Sequence, residues 1–280
     1  MKGRAAIDWL ARMLGHSPTP LVEHLGDAPL CSQPLADEAT YRALFEEARK
    51  QRFPEIDRFE QDCGSAVPRD WLDELALHTQ IVVKTSKLNY QHGRVLYAAL
   101  RRRLADFGEA TRTPRVFETG TARGFSALCM ARALRDAGRT GSIVTVDILP
   151  HDRPIYWNCI DDLTGKKTRR ELLAPWRELS DDVLFVQSDT ASALERVGLE
   201  RVDFAFLDAS HTYEDVMREF AFVESRQRTG DVVVFDDVSP GQFPGVVQAV
   251  EEIAACYPYD VERLSSDSAR GYAVATRAKE

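Results

Sequence analysis

None of the five cysteines, Cys31, Cys63, Cys129, Cys159 and Cys256, belongs to a C-x-x-C pair, so neither a zinc knuckle nor a redox dithiol is expected. An odd, scattered set reads as reduced thiols, which points to the cytoplasm. Basic charge is also scarce: 36 Lys and Arg against 44 Asp and Glu leave −8, a balance that repels a phosphate backbone and excludes general nucleic-acid binding. No apolar run approaches the roughly 20 residues of a membrane span, so no membrane partner is expected. Lys2 and Arg4 precede an apolar patch, but Asp8 and Arg12 interrupt it and no small-residue cleavage site follows, which argues against a signal peptide. Ala6, Ile7, Leu10, Met13 and Leu14 read instead as one face of a short helix. That face would pack on the body or on a sister chain, which leaves room for a homo-oligomer.

What remains is ordinary globular composition, 44% hydrophobic and 29% charged over 280 residues. This suits one large domain, or one domain with an extension. The pattern changes near the polar stretch 108–115. Upstream, in residues 1–110, it is helical. Asp37 can cap a helix with Tyr41, Leu44, Phe45 and Ala48 on one face, Trp71 to Val83 is a second candidate, and Leu96 to Phe107 repeats the spacing. The polar residues Lys84, Lys87, Asn89, Gln91 and His92 read as a surface loop between helices that could close over a site.

In residues 111–280, short β-branched runs alternate with helical stretches. The runs are Arg115 to Glu118, Ser142 to Asp147, Val183 to Asp189, Val202 to Asp208 and Asp231 to Asp237. Continuous apolar strands alternating with helices predict an α/β, doubly wound, mostly parallel sheet of the Rossmann-like kind. Tyr259 to Leu264 and Gly271 to Thr276 follow with almost nothing between them, which predicts a terminal antiparallel pair.

Ligands of such sheets bind beyond the carboxyl ends of the strands. The first run leads through Glu118, Gly120, Gly124 and Ser126 into a helix whose free amides suit an anion. The dinucleotide fingerprint lacks its middle glycine, because position 122 is alanine, so another nucleoside is favoured over NAD. Asp147, 27 residues after Gly120, can accept bonds from ribose hydroxyls or serve as a strand-end turn residue. Asp189 can receive an adenine amino group or cap a helix.

Asp208 ends the fourth run, and Asp236 and Asp237, 28 and 29 residues later, end the fifth. Neighbouring strands lie about 5 Å apart, so three carboxylates would share one mouth. A hard divalent cation such as magnesium relieves that repulsion. Capping by Asp208 and a turn opened by Asp236 and Asp237 is the plainer alternative. Three residues after Asp208, His211 can act as a general base, or merely hold its loop, and Asp208 itself can take a proton.

These residues carry a resemblance. Phe117 to Leu134 with Glu118, Gly120, Gly124 and Ser126, then Asp147 and Asp189, resembles the cofactor half of the class I S-adenosylmethionine-dependent methyltransferases, and the closing pair resembles that family's terminal hairpin. The resemblance implies Glu118 and Gly120 under the methionine amino group, Ser126 on its carboxylate, Asp147 on the ribose and Asp189 near the adenine. Asp208, Asp236 and Asp237 resemble the metal set of the metal-dependent O-methyltransferases, both the catechol and caffeoyl type and the macrocin type that acts on sugars. The third Asp, where the catechol type has Asn, leans toward a sugar or natural-product hydroxyl as acceptor, with a catechol or phenol as alternative. His211 stands where the catechol type carries a lysine. A nicotinamide oxidoreductase and a methyltransferase-like cofactor-binding subunit without catalysis are the competing classes.

Specificity is expected outside the cofactor half. Residues 150–182 form a long insertion with Tyr156, Trp157, Leu172, Leu173, Trp176 and Leu179, a candidate substrate lid. The basic stretches Lys166, Lys167, Arg169, Arg170 and Arg101 to Arg103 read as solvated helix faces.

Overall fold

The computed structural model describes residues 31–107, 113–264 and 270–279. The N-terminal apolar face built on Ala6 to Leu14 lies outside them. The described residues divide into two compact units, along lines different from the expected break near residue 110. One combines the described part of Met1–Gln51 with Arg69–Tyr90 and Pro150–Pro175. The other holds Arg52–Pro68, Gln91–Leu149 and the described part of Trp176–Glu280. The helix preceding the first strand thus belongs with the sheet, and most of the insertion belongs with the N-terminal segments.

In the first unit, α1 (Glu38–Arg49) starts where expected, because the Asp37 side chain accepts the Thr40 N–H at 2.9 Å. Helix α3 (Arg69–Thr79) meets the insertion through His78, whose Nδ1 lies 2.5 Å from Asp161 Oδ2, while Lys167 Nζ lies 2.7 Å from Asp161 Oδ1. The basic stretch of the insertion is therefore not a solvated face throughout. Arg169 is buried with its guanidinium over the Trp157 ring, while Lys166 and Arg170 are exposed, the latter beside Asp152. Arg169 and Leu172 bound the short helix α6, which Thr168 caps reciprocally with Glu171.

The second unit is a seven-stranded sheet in the order β3-β2-β1-β4-β5-β7-β6. Its strands are β1 (Arg115–Thr119), β2 (Ser142–Asp147), β3 (Val183–Gln187), β4 (Phe204–Leu207), β5 (Val232–Phe235), β6 (Tyr259–Leu264) and β7 (Tyr272–Arg277). The first five run parallel, and β7 pairs antiparallel with both β5 and β6. This is the Rossmann-like sheet with its terminal hairpin that the alternating runs predict. Helices α2 (Pro54–Asp62), α4 (His92–Ala105), α5 (Phe125–Asp136), α7 (Arg177–Ser180), α8 (Thr190–Arg196), α9 (Tyr213–Glu224) and α10 (Pro244–Cys256) complete the unit.

Strand alternation sorts the core. Phe117, Ala205, Leu207, Val233 and Phe235 point to one face, where Val216, Phe220 and Val223 of α9 and Val246, Val250 and Ile253 of α10 cover them. Each such side chain removed from water contributes about 1.5–3 kcal/mol, which locks the strand register and so fixes which residues stand at the strand ends. On the other face, His92 at the start of α4 stacks on Phe206, with centroids 6.1 Å apart, and meets the Phe125 ring edge-on. The expected surface loop is corrected in part: Asn89, Gln91 and His92 are buried, while Lys84 is half-buried and Lys87 exposed. Arg103 is likewise no surface residue, being buried in an ion pair with Asp231 at 3.0 Å. No helix among the described residues is long and apolar enough to cross a membrane.

Candidate active site

The site is built from the carboxyl ends of β1, β2, β4 and β5. After β1 the chain turns through Gly120, whose φ of +88° favours glycine. A Cβ here would stand 2.1 Å from the Asp208 carbonyl oxygen, so β1 and β4 come together only because this residue has none. Gly124, at φ +93°, then caps α5. Glu118 is fully buried and accepts a bond from the Thr145 hydroxyl, which in turn lies 2.5 Å from the Thr121 hydroxyl. Ser126 is buried in the first turn of α5. Asp147 closes this half: its Oδ2 accepts the Ala122 N–H and its Oδ1 the Leu149 N–H, each at 2.6 Å. Its carboxylate thus fixes both the β1 turn and the β2 turn.

Glu118, Gly120, Gly124, Ser126 and Asp147 accordingly lie on the end of β1, its turn into α5, and the end of β2, the side of the sheet on which ligands of such folds bind. Asp189 is the N-cap of α8, its Oδ1 accepting the Ser192 N–H at 2.9 Å.

On the β4 and β5 side, the donor atoms of Asp208, His211 and Asp237 all lie within 4.8 Å of one another. His211 Nε2 lies 2.9 Å from Asp237 Oδ2 and 3.9 Å from Asp208 Oδ1, and its ring stacks on Phe243 at 4.2 Å. The histidine is held from behind as well, because α10 approaches so closely at Gly245 that a Cβ there would meet the His211 carbonyl oxygen at 2.7 Å. Asp237 adopts the left-handed conformation, φ +55°, which turns its carboxylate away from the line of β5. Asp236 is not among the converging donors: its Oδ1 accepts the Asp237 N–H at 2.7 Å. The three donors gathered are therefore two of the three aspartates, joined by the histidine.

The charge is concentrated. Burial first, and Asp236 and Asp237 next, push the Asp208 carboxyl well above its ordinary range, against the pull of Arg270. Asp236 is pushed up to about 6 by burial and by Asp237, again opposed by Arg270. Arg270, which sequence reasoning missed, places Nε 2.7 Å from Asp237 Oδ1 and Nη2 3.2 Å from Oδ2. Its position in a hairpin outside any helix or strand run gave no signal in the sequence.

A divalent ion fits this donor set. Magnesium or a similar ion sits about 2.1 Å from each ligand, so ligand atoms around it lie roughly 3–4 Å apart, which a 4.8 Å cluster reaches with small side-chain shifts.

The sheet order and its terminal antiparallel hairpin define a Rossmann-like α/β fold with its acidic groups at the strand ends. Residues 117–238 match the family described as methyltransferase domain, in agreement with the resemblance read from the sequence over that stretch. The chain is also similar to curated rhamnosyl O-methyltransferases, that of Mycobacterium tuberculosis (strain ATCC 25618 / H37Rv) for example. It is 27% identical over 166 residues, covering 53% of this chain and 60% of the relative. The chain thus spans less than two thirds of the length of the curated relatives it matches. Among solved structures, the O-methyltransferase TomG from Streptomyces achromogenes, in complex with SAM, matches with TM-score 0.52 and 20% identity over 76% of this chain and 92% of that one. An O-methyltransferase from Bacillus cereus in complex with SAH matches with TM-score 0.51 and 17% identity over 92% and 97%. At such identity these two likenesses speak for the fold.

Proposed function

We propose that the protein transfers a methyl group from S-adenosylmethionine to a hydroxyl of a sugar or natural-product small molecule, with a divalent cation, magnesium foremost, as a second cofactor. The observation that carries this reading is the convergence of Asp208, His211 and Asp237 directly beside the Gly120 turn. Carboxylates and a histidine meeting next to a nucleoside crevice suit the handling of an acceptor hydroxyl. The family match over residues 117–238 supports methyl transfer, and the rhamnosyl O-methyltransferase relatives support a sugar acceptor.

In this reading Asp147 holds the ribose, Glu118 and Gly120 lie under the methionine amino group, Ser126 and the α5 amides hold its carboxylate, and Gly124 admits it. The sulfonium supplies an already activated methyl group, and a divalent ion supplies Lewis acidity that lowers the cost of ionising the hydroxyl. The chain itself must align the hydroxyl for in-line attack and receive its proton. Asp208 and His211 are the two acceptors within reach of the same mouth. Asp208, His211 and Asp237 would hold the ion, while Asp236 supports Asp237 through its backbone. A histidine nitrogen that binds the ion cannot also take the proton, so cation affinity in His211→Ala decides between its two roles. Acceptor selection is assigned to residues outside the cofactor half, including the 150–182 insertion.

The test is calorimetry with S-adenosylmethionine and with NAD, followed by labelled-methyl transfer to rhamnosyl, other sugar and phenolic acceptors with magnesium or EDTA. Sugar-selective, EDTA-sensitive transfer is expected. Binding of NAD in place of S-adenosylmethionine would overturn the reading. Cofactor binding without transfer to any acceptor would favour the non-catalytic subunit, transfer confined to catechols the phenolic alternative, and full activity in EDTA would remove the metal.

A further inference from the structure

We propose that Arg270 is a built-in counter-ion of the acidic mouth, a guanidinium that occupies Asp237 until a divalent cation exchanges for it. The inference rests on the metal reading above and concerns how the ion enters.

Asp237 has both carboxylate oxygens engaged: Oδ1 by Arg270 Nε at 2.7 Å, and Oδ2 by Arg270 Nη2 at 3.2 Å and His211 Nε2 at 2.9 Å. Yet Asp237 is one of the three residues whose donor atoms converge. A forked guanidinium is the side-chain cation best matched to a carboxylate, and at about 5 Å from a dication on that same carboxylate it repels it strongly. Both cannot be accommodated well at once.

The backbone presents Arg270 at this spot. The β5–β7 pairing, with Phe235 opposite Ala273, continues past the strand ends through the Val238 N–H bond to the Gly271 carbonyl at 2.9 Å. The approach is so close that a Cβ on Gly271 would meet the Val238 oxygen at 2.4 Å. Arg270, next in line, is thereby delivered to the turn in which Asp237 adopts positive φ. Its side chain is 23% exposed, so the guanidinium lies at the edge of the described core rather than inside it. With Asp208, Asp236 and Asp237 crowded at one mouth, the arginine also keeps the ion-free site from repelling itself apart. It opposes the upward push on the Asp208 and Asp236 carboxyls.

A purely structural arginine and an exchanging one predict opposite changes in metal affinity. Mn2+ alone, added to the full chain without cofactor or acceptor and followed by electron paramagnetic resonance of the free ion, is the probe. Arg270→Met should bind Mn2+ about ten- to hundredfold more tightly than wild type, the gain expected on removing one positive charge roughly 5 Å away. Arg270→Lys, which keeps the charge but loses the fork, should fall between. Because the methionine variant leaves carboxylates unneutralised and can misfold, the wild type is also titrated with Mg2+ while the Arg270 Nε–Hε resonance is followed. That signal should be protected from exchange without the ion and should shift or broaden as Mg2+ saturates. One Mn2+ bound by wild type with equal or weaker affinity in Arg270→Met overturns the exchange and leaves the metal site standing, as does an Arg270 signal unmoved by saturating Mg2+. No Mn2+ bound by wild type overturns both.

Discussion

Gly120→Ala is the sharpest perturbation of the site, because one methyl group strikes both of its halves. An alanine forced to φ +88° costs roughly 1–2 kcal/mol in backbone strain. The new Cβ, 2.1 Å from the Asp208 carbonyl oxygen, must retreat by on the order of 1 Å, since Cβ atoms essentially never approach within 3.0 Å. The retreat pulls on two bonds that clamp the strand ends, Gly120 N–H to Val146 O at 2.9 Å and Asp208 N–H to Thr119 O at 3.1 Å. Each contributes about 0.5–1.5 kcal/mol. The total is roughly 2–5 kcal/mol, which for a chain of this size lowers Tm by about 4–20 °C. A displacement of about 1 Å of Asp208 against the cofactor can cost on the order of a hundredfold in turnover. Scanning calorimetry reads the stability, and titration with S-adenosylmethionine the cofactor half, so no acceptor needs to be known. A variant that melts within about 1 °C of wild type and binds S-adenosylmethionine unchanged would refute the claim that this glycine joins the β1 turn to β4.

Other perturbations separate the parts. Asp147→Ala should weaken S-adenosylmethionine binding by about 1.5–3 kcal/mol, the range for bonds to a charged group, and also loosen the Ala122 and Leu149 amides that the carboxylate holds; unchanged affinity by calorimetry rejects the ribose assignment. Asp237→Asn should lower Mn2+ affinity at least tenfold while leaving cofactor affinity intact, and equal Mn2+ binding would remove Asp237 from the ligand set. Burial pushes the Glu219 carboxyl, bonded by the Thr119 hydroxyl at 2.6 Å, from 4.5 up to about 8. The folded state therefore keeps a proton that the unfolded state releases, and stability falls as pH rises from about 4.5 to about 8 and is then flat. Glu219→Gln removes that loss, up to on the order of 5 kcal/mol, so the variant should gain on wild type between pH 5 and pH 9. A stability difference that is constant across this range, measured by urea unfolding, would contradict a buried proton on Glu219.

What the chain reveals in one dimension is the order and ends of the strands. A parallel strand buried on both faces is free of acidic side chains in its interior, so the first acidic residue marks the exit from the sheet. That is why Glu118, Asp147, Asp208 and Asp236 were legible as strand-end groups. Helix caps are local too, so Asp37 is readable as one, and Asp189, whose carboxylate accepts the Ser192 N–H, is readable both as a cap and as a ligand. The buried arginines were less legible, because a run such as Arg101 to Arg103 looks the same whether its third member meets solvent or, as here, Asp231.

The donor set itself depended on a torsion angle that spacing does not encode. Side chains alternate along a strand, so of two adjacent acids only one can face a given neighbour while the chain stays extended. At β5 the chain leaves the extended conformation, and the positive φ of Asp237 together with the Asp236 bond to its amide decides which of the two turns to His211. Arg270 is remote for a related reason: its proximity to Asp237 arises from an antiparallel return 33 residues later, sealed by a glycine whose missing side chain lets the Val238 backbone approach. Local pattern therefore locates the mouth of the sheet, while its chemistry is set by which backbone turns deliver side chains there. A change at Gly120, Gly245 or Gly271, none of which bears a functional group, should consequently disturb this site as deeply as a change at one of its carboxylates.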